Sequence, residues 1–299
     1  MSEITIFIPS YNPGKLLIDA LKSIYNQTYS DWRVILVDDA STDDSLMLAE
    51  NLLNDPRITV VKNEINVGQS KAQNIALELV TTPYMVQLDS DDWFVPYTLE
   101  TLVNEFKKQP GDVAVVSGNI MVVNEETEYM KEHDNIPISF VRRGRIFKDR
   151  YDFLLSNMSL WPRCYRTSAL REIGGWPVDD PYEGRNMEDK LVLFRLIEKF
   201  RFHWVDEVLY VHRRHDYNNT RKIDEYNNII EYNAKQVLKR WGDNFEPVFD
   251  IDSYGWKNVV HLAKKNKIEL KNENINSIDK NHSTELNKKK LDKAFYYII

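Results

Sequence analysis

The sequence predicts an α/β fold: a Rossmann-like, mostly parallel sheet with helices on both of its faces, followed by a C-terminal helical extension. Over the first 118 residues, short apolar runs of strand length alternate with segments whose apolar residues recur at helical spacing. The strand-like runs are apolar on both faces, as in sheets that helices cover on both sides. These two observations together predict parallel strands joined by helical crossovers.

Five strands and four helices are predicted in this first half. Each strand is a short, mostly apolar run, and turn residues such as Pro9-Ser10 or Asp38-Asp39 end it. Each helix has its apolar residues on one face. The strands are predicted at residues 4–8, 34–37, 58–61, 84–88 and 113–117, and the helices at 16–24, from Thr42 or Asp43 to 53, at 70–79 and from 96 to 106.

Polar segments follow three of these strands. They are residues 9–12 after the first strand, Asp38-Asp39 after the second, and residues 89–92 after the fourth. Parallel sheets of this kind bind ligands outside the carboxyl ends of their strands. The three segments are therefore predicted to meet at one edge of the sheet, although they are far apart in sequence.

The rest of the chain is less regular, and it completes a division into four regions. Residues 1–118 are the α/β half, and residues 119–220 are predicted to be the second half of the same domain. The latter begins with a polar hairpin or loop up to about residue 150 and includes a helix at 186–200, capped by Asn186, and a strand at 205–211. Residues 221–263 are predicted to be helical, because 223–241 is amphipathic. Residues 264–299 are interpreted as a polar tail, disordered or docked on the body.

Composition limits the class of protein. The chain has 299 residues, a formal net charge of −7 and a pI of about 5.5, which argues against a dedicated binder of duplex nucleic acid. The one cysteine, Cys164, rules out an internal disulfide and a cysteine-rich zinc site, and it favours a reduced, cytoplasmic setting. Neither a secretory signal nor an apolar stretch of about 18 residues is found, so no transmembrane segment is expected.

The acids at 89–92 are the most informative motif. Asp89, Asp91 and Asp92 crowd the end of a buried strand, where they repel one another unless a positive group lies among them. A hard divalent cation is the predicted group, and it would also bridge the acids to a diphosphate. The alternative interpretation is a solvated turn whose acids cap a helix.

Three further clusters each allow a functional and a structural interpretation. Asp38-Asp39 would accept hydrogen bonds from a nucleobase or ribose, or would cap a helix. Glu188-Asp189 would supply a general base, or would complement the dipole at a helix start. The basic segment 211–215 would bind phosphate through arginine and metal through imidazole, or would be a solvated turn.

These segments jointly resemble the family 2 glycosyltransferases, which have the GT-A fold and invert the anomeric centre. The resemblance covers residues 3–215. It implies the sheet described above, a UDP-sugar as donor, Mn²⁺ or Mg²⁺ as cofactor, and a saccharide or glycoconjugate as acceptor. The matching motifs, in the family's order, are Pro9-Ser10-Tyr11-Asn12, Gln27-Thr28-Tyr29, Val37-Asp38-Asp39-Ala40-Ser41-Thr42-Asp43, Asn66-Val67-Gly68, Leu88-Asp89-Ser90-Asp91-Asp92 and Glu188-Asp189.

The resemblance also implies a role for individual residues. Asp189 would be the catalytic base, and Asp91 the principal metal ligand, together with Asp89 and His215. Asp39 would accept a hydrogen bond from the uracil of the donor. Trp161 and the stretch 163–166 would lie on the acceptor side. The residues expected to contact the donor are Pro9, Tyr11, Asp39, Asn66, Lys71, Asp89, Ser90 and Arg213.

One position departs from the family pattern. Many members have an arginine directly before the asparagine found here at Asn74, whereas this chain has Gln73, and Lys71 is the candidate substitute for the lost charge. Two alternatives to the transferase stay open: a non-catalytic subunit that binds nucleotide-sugar, and a sugar-phosphate nucleotidyltransferase. The second normally has a glycine-rich loop after its first strand, and segment 9–14 is not one.

The expected process is the synthesis of surface polysaccharide or glycoconjugate, by transfer of one sugar at a time. The Gln-x-x-Arg-Trp motif of the family's polymerases is absent, which favours single transfer of a hexosyl or N-acetylhexosaminyl group. Nucleic acid is not an expected partner. The expected location is the cytoplasm, where peripheral contact with the inner face of a membrane is compatible with the sequence.

Overall fold

A nine-stranded mixed sheet forms the centre of the structure, a computed structural model that describes residues 2–125, 139–215 and 223–265. The strand order is β3-β2-β1-β4-β8-β6-β9-β5, and β7 pairs with β6 outside this path. The strands are β1 (Ile4–Ser10), β2 (Trp32–Asp38), β3 (Ile58–Lys62), β4 (Tyr84–Gln87), β5 (Trp93–Phe94), β6 (Val113–Asn124), β7 (Ser139–Arg142), β8 (Cys164–Arg166) and β9 (Arg201–Arg214).

Helices cover both faces of this sheet, as predicted. The helices are α1 (Leu16–Tyr25), α2 (Ser45–Leu48), α3 (Glu50–Leu53), α4 (Gln69–Leu79), α5 (Thr98–Lys108), α6 (Arg150–Ser156), α7 (Thr167–Glu172), α8 (Glu188–Leu196) and α9 (Ile223–Arg240). Alternate residues of the strands enter two separate apolar cores: Ile6 packs with α1 and α5 on one face, and Phe7 packs with α4, α7 and α8 on the other.

The prediction of parallel strands is right for the neighbours β1 to β4 and too broad for the whole sheet. Strands β3, β2, β1 and β4 are parallel neighbours, and β6 is parallel to β9. Strand β8 lies between β4 and β6 and is antiparallel to both, and β5 and β7 also pair in the antiparallel sense. Parallel pairing needs a crossover of a dozen or more residues, and the second half lacks the regular strand–helix alternation that provides it.

Several element boundaries differ from the prediction. The helix expected from Thr42 or Asp43 to 53 is two short helices, which meet at Ala49. Strand β6 continues to Asn124, beyond the predicted end at 117, and pairs with β7; this supports the hairpin alternative for the segment up to 150. Strand β9 is also longer than the predicted 205–211.

The C-terminal segment is not entirely helical. Helix α9 ends at Arg240 and is followed by an antiparallel pair, β10 (Phe245–Ile251) and β11 (Lys257–Lys264), so the helical prediction for 221–263 is wrong in its second half. Gly242 and Asp243 adopt positive φ angles of 108° and 56°, which end the helix. The predicted tail at 264–299 lies almost wholly outside the described residues. Within the described ranges, no helix has the length and apolar character needed to cross a membrane.

Candidate active site

Asp39, the first residue after β2, is bonded mainly to the loop between β3 and α4. Its Oδ1 accepts hydrogen bonds from the side-chain amide of Asn63 and from the backbone N–H of Val67, both at 2.8 Å. Its Oδ2 accepts one from the backbone N–H of Gly68, also at 2.8 Å. A carboxylate offers about four acceptor positions. Asp39 therefore holds this loop in place. About one acceptor position of its carboxylate remains for the nucleobase that the resemblance assigns to it.

The loops after β1 and β2 are bonded to each other at the same edge. The Oδ1 of Asn12 accepts hydrogen bonds from the backbone N–H groups of Thr42 at 2.7 Å and Asp43 at 3.3 Å. Pro9 lies near the end of β1 in register with β2, and the side chain of Tyr11 is 54% exposed. The two residues expected to line the base pocket thus lie at an open edge of the sheet beside Asp39.

Asp92 is buried and attaches the turn after β4 to β9. Its Oδ1 accepts a hydrogen bond from the backbone N–H of Arg213 at 2.7 Å, and its Oδ2 lies 3.2 Å from Nδ1 of His212. Burial raises the pKa of Asp92 to about 6, although the hydrogen bond with His212 opposes this shift. Burial lowers the pKa of His212, but the Asp92 carboxylate outweighs burial and the net shift is upward. Asp92 is therefore a structural member of the acidic segment.

Asp91 and His215 meet on the other side of this turn. Oδ2 of Asp91 lies 3.0 Å from Nε2 of His215, and their side chains are 28% and 11% exposed. No group of three or more His, Cys, Asp or Glu side chains in the described residues could hold a metal ion. Divalent cations at phosphate-transfer sites often have one or two protein ligands, with substrate oxygens completing the shell. Asp91 and His215 fit the predicted cation as such a partial site.

A buried arginine, Arg163, connects the end of β4 to the start of α8. Its Nη2 lies 3.3 Å from Oδ2 of Asp89 and its Nη1 lies 3.4 Å from Oδ2 of Asp189, while its own side chain is 3% exposed. Its Nε donates to Oε1 of Gln87, whose amide donates to Oδ1 of Asp89 at 2.7 Å. Burial lowers the pKa of Arg163, but the two carboxylates outweigh burial and the net shift is upward. The expected base and an expected donor contact thus belong to one bonded cluster.

This cluster alters two expectations. Both oxygens of Asp89 already have protein partners, so its contacts do not support the expected role as a metal ligand. Acids crowded at a strand end need a positive group among them, and the chain itself supplies Arg163 there. Ser90 is half-buried between the two acids of the motif. Arg163 lies between the two acids that it joins, and its expected position on the acceptor side stays a prediction.

Glu188 and Asp189 form the first turn of α8. The Asp189 side chain is 14% exposed, whereas Glu188 is 6% exposed. Burial, and then the charge of Asp189, raise the pKa of Glu188. Asn186 is not the helix cap; Met187, with a φ of 55°, occupies that position, and the Asn186 amide donates to Glu225 of α9 at 3.1 Å. The acid that faces Arg163 is therefore held at a helix start that α9 supports.

Arg213 has partners that differ from the expected donor. Its guanidinium donates to Asp19 of α1 at 2.7 Å, to Glu125 at 2.6 Å and to the backbone carbonyl of Asp91 at 3.0 Å. It also lies over the Trp93 ring, 4.8 Å from the centroid. Because all three nitrogens are engaged, these contacts do not support the expected contact with the donor. Arg213 instead ties the end of β9 to α1 and β6.

The segment 176–187 bonds the N-terminal end of α4 and the loop before it. Arg185 donates to Oδ1 and to the backbone carbonyl of Asn66, at 2.8 and 3.2 Å. Nζ of Lys71 forms an ion pair with Glu183 at 2.7 Å. Two expected donor contacts, Asn66 and Lys71, therefore both bond this segment, and Arg185 adds a positive charge beside them.

Gln73, the departure from the family pattern, is fully buried in α4. Neither atom of its amide group has a hydrogen-bond partner within the described residues, and the same is true of Ser70 Oγ and of Asp38 Oδ1. Buried polar groups nearly always bond protein or water. Ser70 lies one turn before Gln73, and α4 packs on β2, where Asp38 ends the strand.

Sequence reasoning did not find the roles of Arg163 and Arg185. Arg163 carried a usable signal, because an arginine inside an apolar strand-like run must have a buried acidic partner. Arg185 carried none, since a charged residue in a polar loop is ordinary. Only the folded chain shows that Arg185 lies against Asn66, 119 residues earlier.

The chain is similar to known glycosyltransferases. The family model described as "Glycosyl transferase family 2" matches residues 5–174. The putative colanic acid biosynthesis glycosyl transferase WcaA of Escherichia coli K12 is 40% identical over 101 residues, which are 33% of this chain and 36% of WcaA. The chain spans between 17% and 39% of the length of the first curated relatives that it matches.

Two solved structures show the same fold. S. aureus TarS 1–349 in complex with UDP-GlcNAc has a TM-score of 0.57 at 19% identity, over 81% of this chain and 71% of that one. The mannosyltransferase PcManGT from Pyrobaculum calidifontis, in complex with GDP-Man and Mn²⁺, has a TM-score of 0.56 at 18% identity, over 82% and 65%. At these identities the likeness concerns the fold, and it confirms the expected α/β architecture of the GT-A type.

Proposed function

Because the chain belongs to glycosyl transferase family 2, we propose that it is an inverting, metal-dependent glycosyltransferase. It moves one sugar from a UDP-sugar to a hydroxyl group of an acceptor saccharide, in the synthesis of surface polysaccharide or glycoconjugate. The names of its relatives and the UDP-GlcNAc bound to TarS support the reaction class and the donor class. A cytoplasmic location remains part of the proposal.

One observation carries the proposal: Arg163 bridges Asp89 and Asp189, with N–O distances of 3.3 and 3.4 Å. The two acids are 100 positions apart in the chain. One follows a strand whose carboxyl end is where such sheets bind nucleotides, and the other begins a separate helix. Their shared counter-ion supports one cleft in which a donor and a general base act together.

In the proposed reaction, Asp189 accepts the proton of the acceptor hydroxyl. The hydroxyl oxygen forms a bond to the anomeric carbon, and the bond from that carbon to the phosphate oxygen breaks, leaving UDP with the electron pair. A positioned base contributes about 100- to 10,000-fold to such a rate. Arg163 holds the Asp189 carboxylate in place through its Nη1.

The proposed donor site uses the carboxyl edge of β1, β2 and β4. Pro9 and Tyr11 border the base, and the remaining acceptor position of Asp39 is available to a uracil N–H. Asp91 and His215 would hold the Mn²⁺ or Mg²⁺ ion, which supplies charge stabilisation for the departing diphosphate when it is bound. Lys71 and Asn66 reach the donor only if their bonds to segment 176–187 are exchanged for bonds to it.

The test is hydrolysis and transfer with a panel of UDP-sugars, assayed by UDP release with Mn²⁺, with Mg²⁺ and with a chelator. We expect at least one UDP-sugar to be turned over with metal, and turnover to stop when the metal is removed. Binding of UDP without turnover of any sugar would favour the non-catalytic subunit. Release of pyrophosphate from a nucleoside triphosphate would favour the nucleotidyltransferase.

A further inference from the structure

Two arginines from different strands lie over one phenylalanine ring. The guanidinium carbon of Arg142, in β7, is 5.5 Å from the centroid of Phe140, and that of Arg214, at the end of β9, is 5.6 Å from the same centroid. Both arginines are exposed to solvent, whereas Phe140 is half-buried against the core. The result is a basic surface with an aromatic plane at its centre.

This pair lacks the neutralisation that other arginines have. Within the described residues, neither Arg142 nor Arg214 has a side-chain hydrogen bond or an acidic partner. By contrast, Arg143, which follows Arg142, pairs with Asp206 at 2.8 Å. The two guanidinium groups lie over the same ring, so their like charges also repel each other. An arrangement of like charges in a chain of net charge −7 is one that an anion would stabilise.

The register of the sheet connects the pair to an aromatic neighbour of the proposed catalytic cluster. Phe140 and His212 both lie opposite Val122 of β6, so the two rings share one row of the sheet. His212 lies 6.1 Å from the Trp161 ring, and Trp161 lies 5.3 Å from the guanidinium of Arg163. Contacts thus run from the Asp189 cluster through two aromatic rings towards the arginine pair.

The chemistry of this row fits an acidic saccharide. An aromatic plane packs against the apolar face of a sugar ring, and the planar guanidinium group bonds phosphate or carboxylate through two parallel N–H groups. The proposed donor cation site, Asp91 with His215, uses other residues. Arg213, the neighbour of Arg214, is engaged elsewhere, because its guanidinium bonds Asp19 and Glu125.

We propose that Arg142, Phe140 and Arg214 form a subsite for an anionic group, phosphate or carboxylate, on the acceptor saccharide. The inference rests on the proposed transferase function and specifies the class of its acceptor. It places the anionic group one or more sugar units away from the hydroxyl that reacts at Asp189. The source of the anion, a phosphosaccharide or a uronic acid, is decided by the experiment.

The experiment measures direct binding, by calorimetry or NMR titration, in the presence and absence of UDP with Mn²⁺. The probes are cellobiose, cellobiose 6′-phosphate, cellobiouronic acid and inorganic phosphate. The proteins are the wild type, the double variant Arg142→Gln/Arg214→Gln, and Arg143→Gln as a matched control that removes one neighbouring charge. We expect one or both anionic disaccharides to bind the wild type about tenfold or more tightly than cellobiose, because hydrogen bonds to charged groups are the strong ones.

The double variant should lose that preference, and Arg143→Gln should keep it, while UDP affinity is the same in all three proteins. The preference should also weaken as salt is added. Tighter binding of cellobiose 6′-phosphate would identify a phosphosaccharide as the acceptor. Tighter binding of cellobiouronic acid would identify a uronic acid. The proposal is overturned if charged and neutral disaccharides bind alike, if inorganic phosphate alone binds as tightly as the phosphorylated disaccharide, or if the double variant loses UDP affinity. Because this experiment measures binding and not turnover, it can confirm or reject the subsite even if no UDP-sugar is turned over.

Discussion

The acids after β2 and the acids after β4 lie at the same edge of one sheet, yet they have different partners. Asp39 is bonded by groups of the nearby loop, none more than 29 residues away in sequence. Asp89 and Asp91 face cationic or imidazole groups from distant parts of the chain: Arg163, 74 residues later, and His215, 124 residues later. The first set shapes a loop, and the second set joins separate elements of the fold into a cluster.

This difference separates a structural carboxylate from one whose charge is available to a ligand. Backbone N–H groups stabilise the ionised form of an acid without adding charge, and they cannot exchange partners unless the loop moves. A side-chain cation can shift towards a ligand, and a metal ion can replace it. We therefore expect Asp39 to act mainly in folding and Asp91 mainly in ligand binding, whereas the buried Arg163, which joins two acids, should matter for both.

The largest expected effect on stability is that of Arg163→Met. Asp89 and Asp189 would lose their shared cation, and removing one partner of a buried ionic cluster costs about 3 to 5 kcal/mol. The free energy of unfolding in urea measures it. Arg195→Met is the control, because Arg195 pairs with an exposed acid, Asp179, and should change stability by less than about 1 kcal/mol. Equal losses in the two variants would remove the distinction between the cluster and the surface.

The next effect is a dependence of stability on pH that comes from Glu188. Burial raises the pKa of Glu188 from 4.5 to about 8, so between these values the unfolded chain releases a proton that the folded chain keeps. The free energy of unfolding should therefore fall as pH rises from about 5 to about 8, by at most about 1.4 kcal/mol per pH unit. Urea unfolding across this range should show that Glu188→Gln flattens the slope. The exposed Glu172→Gln should leave it unchanged, and an unaltered slope in Glu188→Gln would contradict the assignment.

A smaller loss is expected for Asp39→Asn. The new amide would turn a donor towards the N–H of Val67 or Gly68, so at least one hydrogen bond to a charged group is lost, at a cost of about 1 to 3 kcal/mol. Thermal and urea unfolding measure the loss, with the exposed Asp44→Asn as control.

Asp91→Asn should leave stability nearly unchanged and weaken UDP binding in the presence of metal. If Asp91→Asn were the more destabilising of the two, the comparison between the acids would be reversed.

The smallest effect is expected for Lys71→Gln. Its ion pair with Glu183 is exposed, so the free energy of unfolding should change by less than about 1 kcal/mol. Because Glu183 already faces the ammonium group, we expect UDP affinity to fall by less than about threefold, a loss below about 1 kcal/mol. A loss of tenfold or more in a UDP titration would instead assign the diphosphate to Lys71, as a substitute for the arginine that Gln73 replaces.

The sequence predicted what depends on local pattern. Apolar runs and helical spacing were enough for the parallel half, and the rule for strand ends located the polar edge that contains Asp39 and the 89–92 segment. The hairpin β10–β11 was missed, because its residues had been included in an amphipathic segment whose helical pattern ends at Gly242. The bridge that Arg163 forms between Asp89 and Asp189 was missed, because these partners follow β4 and begin α8, and no local pattern encodes that meeting.

If Asp189 is the base of a cleft whose donor site is built separately, Asp189→Asn should remove catalysis and spare donor binding. The measurement pairs kcat for a UDP-sugar with the Kd of UDP in the presence of Mn²⁺, for this variant and for Asp179→Asn as an exposed control. A loss of kcat of about 100- to 10,000-fold at unchanged UDP affinity is the predicted result. An unchanged kcat, or a loss of kcat matched by an equal loss of UDP affinity, would contradict it.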